Sequence, residues 1–270
     1  MKLLNRTVIL RSLALGLVAL ALVFASAVVR AAIAPLSSSP DTYTAAPLVQ
    51  PKQMQPQLPD PYAGKPAPLP DTIPASSYTP PQEIAPAHPT NYGQRVTVDI
   101  NGNPVQNALL VVIHETVGSA SSAINTFRAP HYNENDQVSY HSLIKRDGTV
   151  VFIVSPEMRA FGAGNSVFVG ANGPEAVRTH PQFPASVNNF AYHVSLETPS
   201  DGRGNSRSHS GYTEAQYRSL AWVIAQTGVP DSRITTHRAI DRSGNRLDPR
   251  SFDPQRFMTV LYTFPRANPA

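Results

Sequence analysis

The 270-residue chain has no cysteine, a single tryptophan, and charged side chains at only 15% of its positions. Without cysteine there can be no disulfide and no thiolate ligand, so any metal site must be built from histidines and carboxylates. A basic surplus is missing as well, once its location is considered. The formal charge of +4 arises from 22 basic and 18 acidic residues, and Lys2, Arg6, Arg11 and Arg30 all fall in the first 34 positions, where there is no acid. The remainder carries 18 charges of each sign, without the surplus of Lys and Arg expected of a nucleic-acid binder. No G-x-S-x-G stretch occurs, so the nucleophile elbow of a serine hydrolase is excluded too.

What is present is unevenly spread. Eighteen uncharged residues, 12–29, follow three basic ones and precede Arg30. This is a membrane-targeting pattern whose charge bias puts the N-terminus in the cytoplasm and everything after Arg30 outside. Ala25-Ser26-Ala27 and Ala32-Ile33-Ala34 have the small-residue spacing of cleavage sites. The apolar run is at the lower length limit for spanning a bilayer, so residues 1–34 fit either a cleaved signal peptide or a retained anchor. Fifteen of the 27 prolines lie in 35–89. With few large apolar residues and no strand or helix period, 35–91 cannot bury enough surface to offset its ordering entropy, and it reads as a disordered, partly polyproline II tether. Such a chain reaches on the order of 170 Å at about 3.1 Å per residue. The expected localisation is periplasmic, cell-wall or secreted, with membrane contact only through residues 12–29.

Residues 92–270 are long enough for one core, and no internal repeat appears in them. The continuous apolar run from Ala108 to Ile113, closed by His114, suits a strand buried on both faces. A short helix is expected over 120–128. Arg146-Asp147-Gly148-Thr149 supplies a turn between two strands. The run 190–197 alternates, which predicts a strand with His193, Ser195 and Glu197 on an exposed polar face and Tyr192, Val194 and Leu196 in the core. Thr213 and Gln216 have capping-box spacing for a helix that Gly228 and Pro230 end. A short strand over 234–236 runs into His237, and Asp253-Pro254 caps a last helix over 255–262. The expected fold class is mixed α/β, with a central mixed sheet flanked by helices.

A zinc hydrolase needs about three protein ligands and one open position, and His114, His237 and Asp248 would supply two imidazoles and a carboxylate. Spacing alone is weak support, because a single strand-end histidine is more often a hydrogen-bonded structural residue. Five segments add a stronger signal. In order, VVIHETVG, VSYHSLIKRDGTV, HVSLE, YTEAQYRSLAWVI and ITTHRAIDRSGNRLDPRSFD resemble the zinc-dependent N-acetylmuramoyl-L-alanine amidase family, which includes phage amidases and peptidoglycan recognition proteins. The resemblance implies one zinc ion per domain and cleavage of the amide between the lactyl group of N-acetylmuramate and L-alanine. It implies a peptidoglycan or muropeptide partner as well, and we expect a monomer.

Position by position, His114, His237 and Asp248 match the family's ligands. Glu197 matches the acidic residue that many members use to take a proton from water. Tyr140 falls where some members place an active-site tyrosine, which leaves His141, on the opposite strand face, as structural. Arg246 stands where many members have lysine; its guanidinium can stabilise an oxyanion but cannot donate a proton near neutral pH. Asp241 is a competing carboxylate, with Asp248 preferred because Pro249 follows it. Gly162 stands where a histidine is common in the family. His193 is expected to be a solvent-facing histidine without a role, the alternative being a cleft-lining or ligating one. His131, His180 and His209 are assigned nothing. A non-catalytic peptidoglycan-binding module of the same fold is the alternative reading; such members typically lose a ligand, and here every ligand position holds a competent residue.

Overall fold

The computed structural model describes residues 77–204 and 206–266. The expected targeting segment, 1–34, and the tether up to residue 76 lie outside the described residues. The strands in chain order are β1 (Gln82–Ile84), β2 (Tyr92–Gln94), β3 (Leu110–Glu115), β4 (Ser142–Ile144), β5 (Val150–Phe152), β6 (Met158–Ala160), β7 (Phe168–Gly170), β8 (Gly173–Glu175), β9 (Ala191–Leu196) and β10 (Ile234–Thr236). The helices are α1 (Ala120–Arg128), α2 (Glu214–Thr227), α3 (His237–Ile240) and α4 (Pro254–Leu261). Six strands form the main sheet in the order β1-β5-β4-β9-β3-β10, and β2-β6 and β7-β8 form two-stranded ribbons. Within the main sheet the β4-β5 hairpin is antiparallel and the other pairings are parallel, which gives the expected mixed α/β architecture.

All six residues of β3 are buried, as its unbroken apolar run requires of a central strand covered on both faces. On one face Val111, Ile113, Val194 and Leu196 pack against Tyr217, Leu220 and Ile224 of α2 and Phe257 and Leu261 of α4. On the other, Leu143 and Val151 meet Ala120 and Phe127 of α1, while Leu110, Val112 and Ala191 meet Phe168 and Ile240. The turns follow their residue chemistry. Gly148 ends the β4-β5 turn at φ +90, and a Cβ there would lie 3.0 Å from Ala215 and Ser219, so both backbone and packing demand glycine. Thr213 and Gln216 form the reciprocal capping box of α2, and Gly228 closes it in the left-handed conformation.

Two expectations are corrected. The polar face of β9 is not exposed: His193 and Ser195 are fully buried, because the segment after β6 crosses that face, with Gly162 against the His193 ring and Ala163 and Phe168 packed with Ala191. The stretch expected to be tether contributes β1, an exposed three-residue edge strand parallel to β5. Backbone pairing and two small buried residues, Ala85 and Ala87, hold it there, so its composition gives no hydrophobic signal. No helix among the described residues is long and apolar enough to cross a membrane; residues 12–29 fall outside them.

Candidate metal centre and active site

Parallel pairing of β10 with β3 aligns Thr236 with Ile113, so the next residues along, His237 and His114, emerge side by side. Their ring centroids are 4.6 Å apart. Thr236 caps α3 by accepting from the Ala239 N–H, which fixes the direction in which the chain leaves β10. The following loop returns to the site, where Arg238 N–H donates to the Asp248 carbonyl at 2.9 Å. Asp248 Oδ2 then lies 3.0 Å from His237 Nδ1 and 3.3 Å from His114 Nδ1. One ligand-type atom from each of the three residues falls within 4.8 Å of the others. Asp241 is occupied elsewhere: its oxygens accept from the backbone of Ser243, Asn245 and Arg246, folding its own loop.

The cluster fits a divalent metal on its own geometry. His114 Nδ1 is buried and meets the Asp248 carboxylate at 3.3 Å, a long contact that falls short of good hydrogen-bond geometry. A buried polar atom left this way needs a partner, and a metal is one that two imidazoles and a carboxylate suit. Burial pushes the His114 imidazole down to about 4, with Asp248 opposing part of that shift. For Asp248, burial acts upward, but the two imidazoles beside it prevail and hold the carboxyl below its usual range. Near neutral pH the centre therefore offers an unprotonated imidazole at His114 and an ionised carboxylate, the states that metal binding requires.

Around this centre, Tyr140 stacks on His114 at 4.6 Å between centroids and 28° between planes. Burial, then the charge of Asp248, raises its phenol, so the hydroxyl stays a neutral donor. His141 is buried on the other side: its Nε2 donates to the Met158 carbonyl and its Nδ1 accepts the His193 backbone N–H. His193, expected in solvent, is fully buried with Nδ1 2.9 Å from His114 Nε2. Glu197 just follows β9, on the strand face that carries His193 and Ser195. Its Oε1 accepts from Ala120 N–H at the start of α1 and its Oε2 from Arg146 N–H, both at 3.0 Å. Ser195, rather than Glu197, is the register partner of His114. Arg246 is exposed and lines, with Val117, Gly204, Leu247 and Asp248, a surface cleft that shares Asp248 with the cluster. Val117, a β-branched residue at φ 56, is strained at the cleft rim and held there by bonds to Thr198 and Gly204.

A second group of residues escaped the sequence reading. Glu115 points away from His114, is fully buried, and accepts from Arg250 Nε at 2.5 Å and Tyr212 Oη at 3.1 Å, with His209 Nε2 also at 3.1 Å. Arg250 in turn donates to the carbonyls of Gly202 and Ser206. This network ties the loop after β9 and the loop carrying Asp248 to the end of β3. One signal was available: a carboxylate closing a strand buried on both faces needs a cationic partner.

A family model described as N-acetylmuramoyl-L-alanine amidase matches residues 102–251, more than half of the chain. Among solved structures, a crystal structure of a selenomethionine derivative of AmpD is similar at 24% identity and TM-score 0.47, covering 70% of this chain and 99% of that one. Escherichia coli AmiD, solved with anhydro-N-acetylmuramic acid-L-Ala-D-gamma-Glu-L-Lys, is similar at 20% identity and TM-score 0.44, with 60% and 65% covered. Citrobacter freundii AmpD in solution is similar at 22% identity and TM-score 0.41, with 67% and 90% covered. No curated protein matches the chain. Family membership rests on the family match and not on these structural likenesses. On that match, the chain belongs to the N-acetylmuramoyl-L-alanine amidase family, a family of peptidoglycan amidases.

Proposed function

We propose that this chain is a zinc-dependent hydrolase acting outside the cytoplasm, which cleaves the amide between the lactyl group of N-acetylmuramate and L-alanine in peptidoglycan or muropeptides. The observation that carries the reading is the convergence of His114, His237 and Asp248, with the buried His114 Nδ1 and His237 Nδ1 both turned to one Asp248 oxygen, in a chain of this family. His114, His237 and Asp248 would hold the zinc ion, which would supply Lewis acidity for the scissile carbonyl and for water. The chain supplies the rest. Each Glu197 oxygen accepts one backbone N–H and keeps a lone pair, so the carboxylate can take a proton from the attacking water and return it to the departing L-alanine nitrogen. The Tyr140 hydroxyl and the Arg246 guanidinium are the donors for negative charge developing on the carbonyl oxygen. If residues 12–29 are retained, they hold the enzyme at the membrane while the tether lets it reach the wall.

A second reading, a peptidoglycan-binding module without turnover, has two observations in its favour. Glu197 is held by the α1 N-terminus and the Arg146 turn, and a serine stands in register with His114. The full chain distinguishes the two. Purified protein is assayed for zinc, then incubated with peptidoglycan with and without chelator while free stem peptides beginning with L-alanine are measured. Stoichiometric zinc and chelator-sensitive release are expected. Binding without release, even after zinc is restored, would establish the second reading instead. Glu197→Gln should keep its zinc and lose turnover by about 10²–10⁴-fold; full activity in that variant would remove Glu197 from the mechanism.

A further inference from the structure

Behind the metal centre lies a file of buried histidines that the proposed reaction does not use. His141 Nε2 faces the Met158 carbonyl, which can only accept, so that nitrogen carries the proton and Nδ1 is a bare acceptor. Nδ1 takes the His193 backbone N–H at 2.9 Å, and the two rings stack with 11° between planes. The backbone and ring of His193 are thereby fixed from behind. In front, His193 Nδ1 lies 2.9 Å from His114 Nε2 and is the hydrogen-bond partner of that atom among the described residues. Space for the ring is provided by Gly162, where a Cβ would lie 2.6 Å from the ring's Cγ and Nδ1.

A neutral imidazole carries one proton, on either nitrogen. For His114 to present Nδ1 to a metal, the proton must sit on Nε2, and a buried Nε2–H needs an acceptor. We infer that His193 is a positioning residue for the metal centre: its Nδ1 accepts the Nε2–H of His114 and holds that ring in the tautomer and orientation that turn Nδ1 toward His237 and Asp248. The inference rests on the metal-centre reading and adds to it a residue that is not a ligand. In this arrangement His193 carries its own proton on Nε2, which is buried without a partner. An unsatisfied buried donor is a cost to stability. An apolar side chain would fill this space without that cost, so the polar ring is accounted for by what its other nitrogen does at His114.

The test uses the full chain, stripped of metal and titrated with zinc against a chromophoric chelator. His193→Leu fills about the same space without an acceptor, and His193→Asn restores an acceptor oxygen close to the position of Nδ1. His193→Leu should bind zinc about 10–100-fold more weakly than the parent. Its metal-free melting temperature should stay within a few degrees, because it loses one bond but also removes the orphaned donor. His193→Asn should recover most of the affinity, and nitrogen NMR of the zinc-loaded parent should show the His114 proton on Nε2. Parent-like zinc affinity in His193→Leu, a proton on the other His114 nitrogen, or no recovery in a folded His193→Asn would each overturn the inference. A parent chain that takes up no zinc would overturn the metal-centre reading and this inference with it; the other outcomes concern His193 alone.

Discussion

The Tyr140 ring and its hydroxyl do separable work. The ring lies against His114, 4.6 Å between centroids, and packs edge-on with Phe127, so it forms part of the wall that buries that imidazole. The hydroxyl, its ionisation pushed upward by burial and by Asp248, remains a hydrogen-bond donor near neutral pH. Tyr140→Phe keeps the wall and removes the donor. We expect unchanged zinc content and a kcat lower by about 10²–10³-fold, the usual cost of losing one oxyanion donor. Zinc analysis beside single-turnover kinetics checks both halves, and an unchanged kcat would leave Tyr140 with a packing role only. Tyr140 was singled out by the family resemblance of its segment rather than by a strand pattern, since Tyr140 and His141 both precede β4. The depth of His193 was not legible in the sequence, because alternation tells which face a residue is on and not what covers that face.

At the scale of elements, the centre depends on how β3 ends. His114 and Glu115 are consecutive and fully or almost fully buried, and they point to opposite faces, one toward His237 and Asp248 and the other into the Arg250 network. The Arg250 backbone N–H also donates to Glu115 Oε1 at 3.2 Å, so the same carboxylate anchors the loop two residues beyond Asp248. Glu115→Gln leaves the Arg250 guanidinium buried without its counter-charge. Breaking a buried pair on one side costs about 3–5 kcal/mol, so a loss of that size is expected in chemical denaturation, together with weaker zinc retention as the Asp248 loop loosens. A variant as stable as the parent would mean that water reaches Arg250 and that the pair is not a structural anchor. The elements themselves were readable, down to the Thr213–Gln216 capping box, because caps and turns are local. The Glu115–Arg250 pair joins residues 135 positions apart, and nothing local marks it.

For the molecule as a whole, burying neutral histidines makes stability depend on pH. The folded-state values of His114 and His141 are pushed down by burial to about 4 and about 3, below the ordinary 6.5. Below pH 6.5 the unfolded chain therefore binds protons that the folded chain refuses, and stability falls as pH falls. The contribution is complete above about 6.5 and is lost progressively toward 4, then toward 3. For His114 alone it is on the order of 3 kcal/mol. Denaturant midpoints of the metal-free chain between pH 4 and 7 should show this decline, and a flat profile would mean that the rings are solvated. Added zinc should stabilise the chain near neutral pH and lose its effect on acidification, since protons compete for the ligand nitrogens.

The amino-acid sequence by itself determined the absence of disulfides and thiolate ligands, the mixed α/β class, the hairpin at Gly148, the caps of α2 and α4, and the three residues that meet at the centre. Those features follow from residue chemistry, from periods of a few residues, and from ordered motifs whose resemblance to a family survives without coordinates. Tertiary structure alone decided that His193 stands behind His114, that Gly162 makes its space, that Glu115 and Arg250 pair, and that β1 joins the sheet edge. Each of these depends on which distant segment covers a given face, and that is set by the packing of the whole chain rather than by any local pattern.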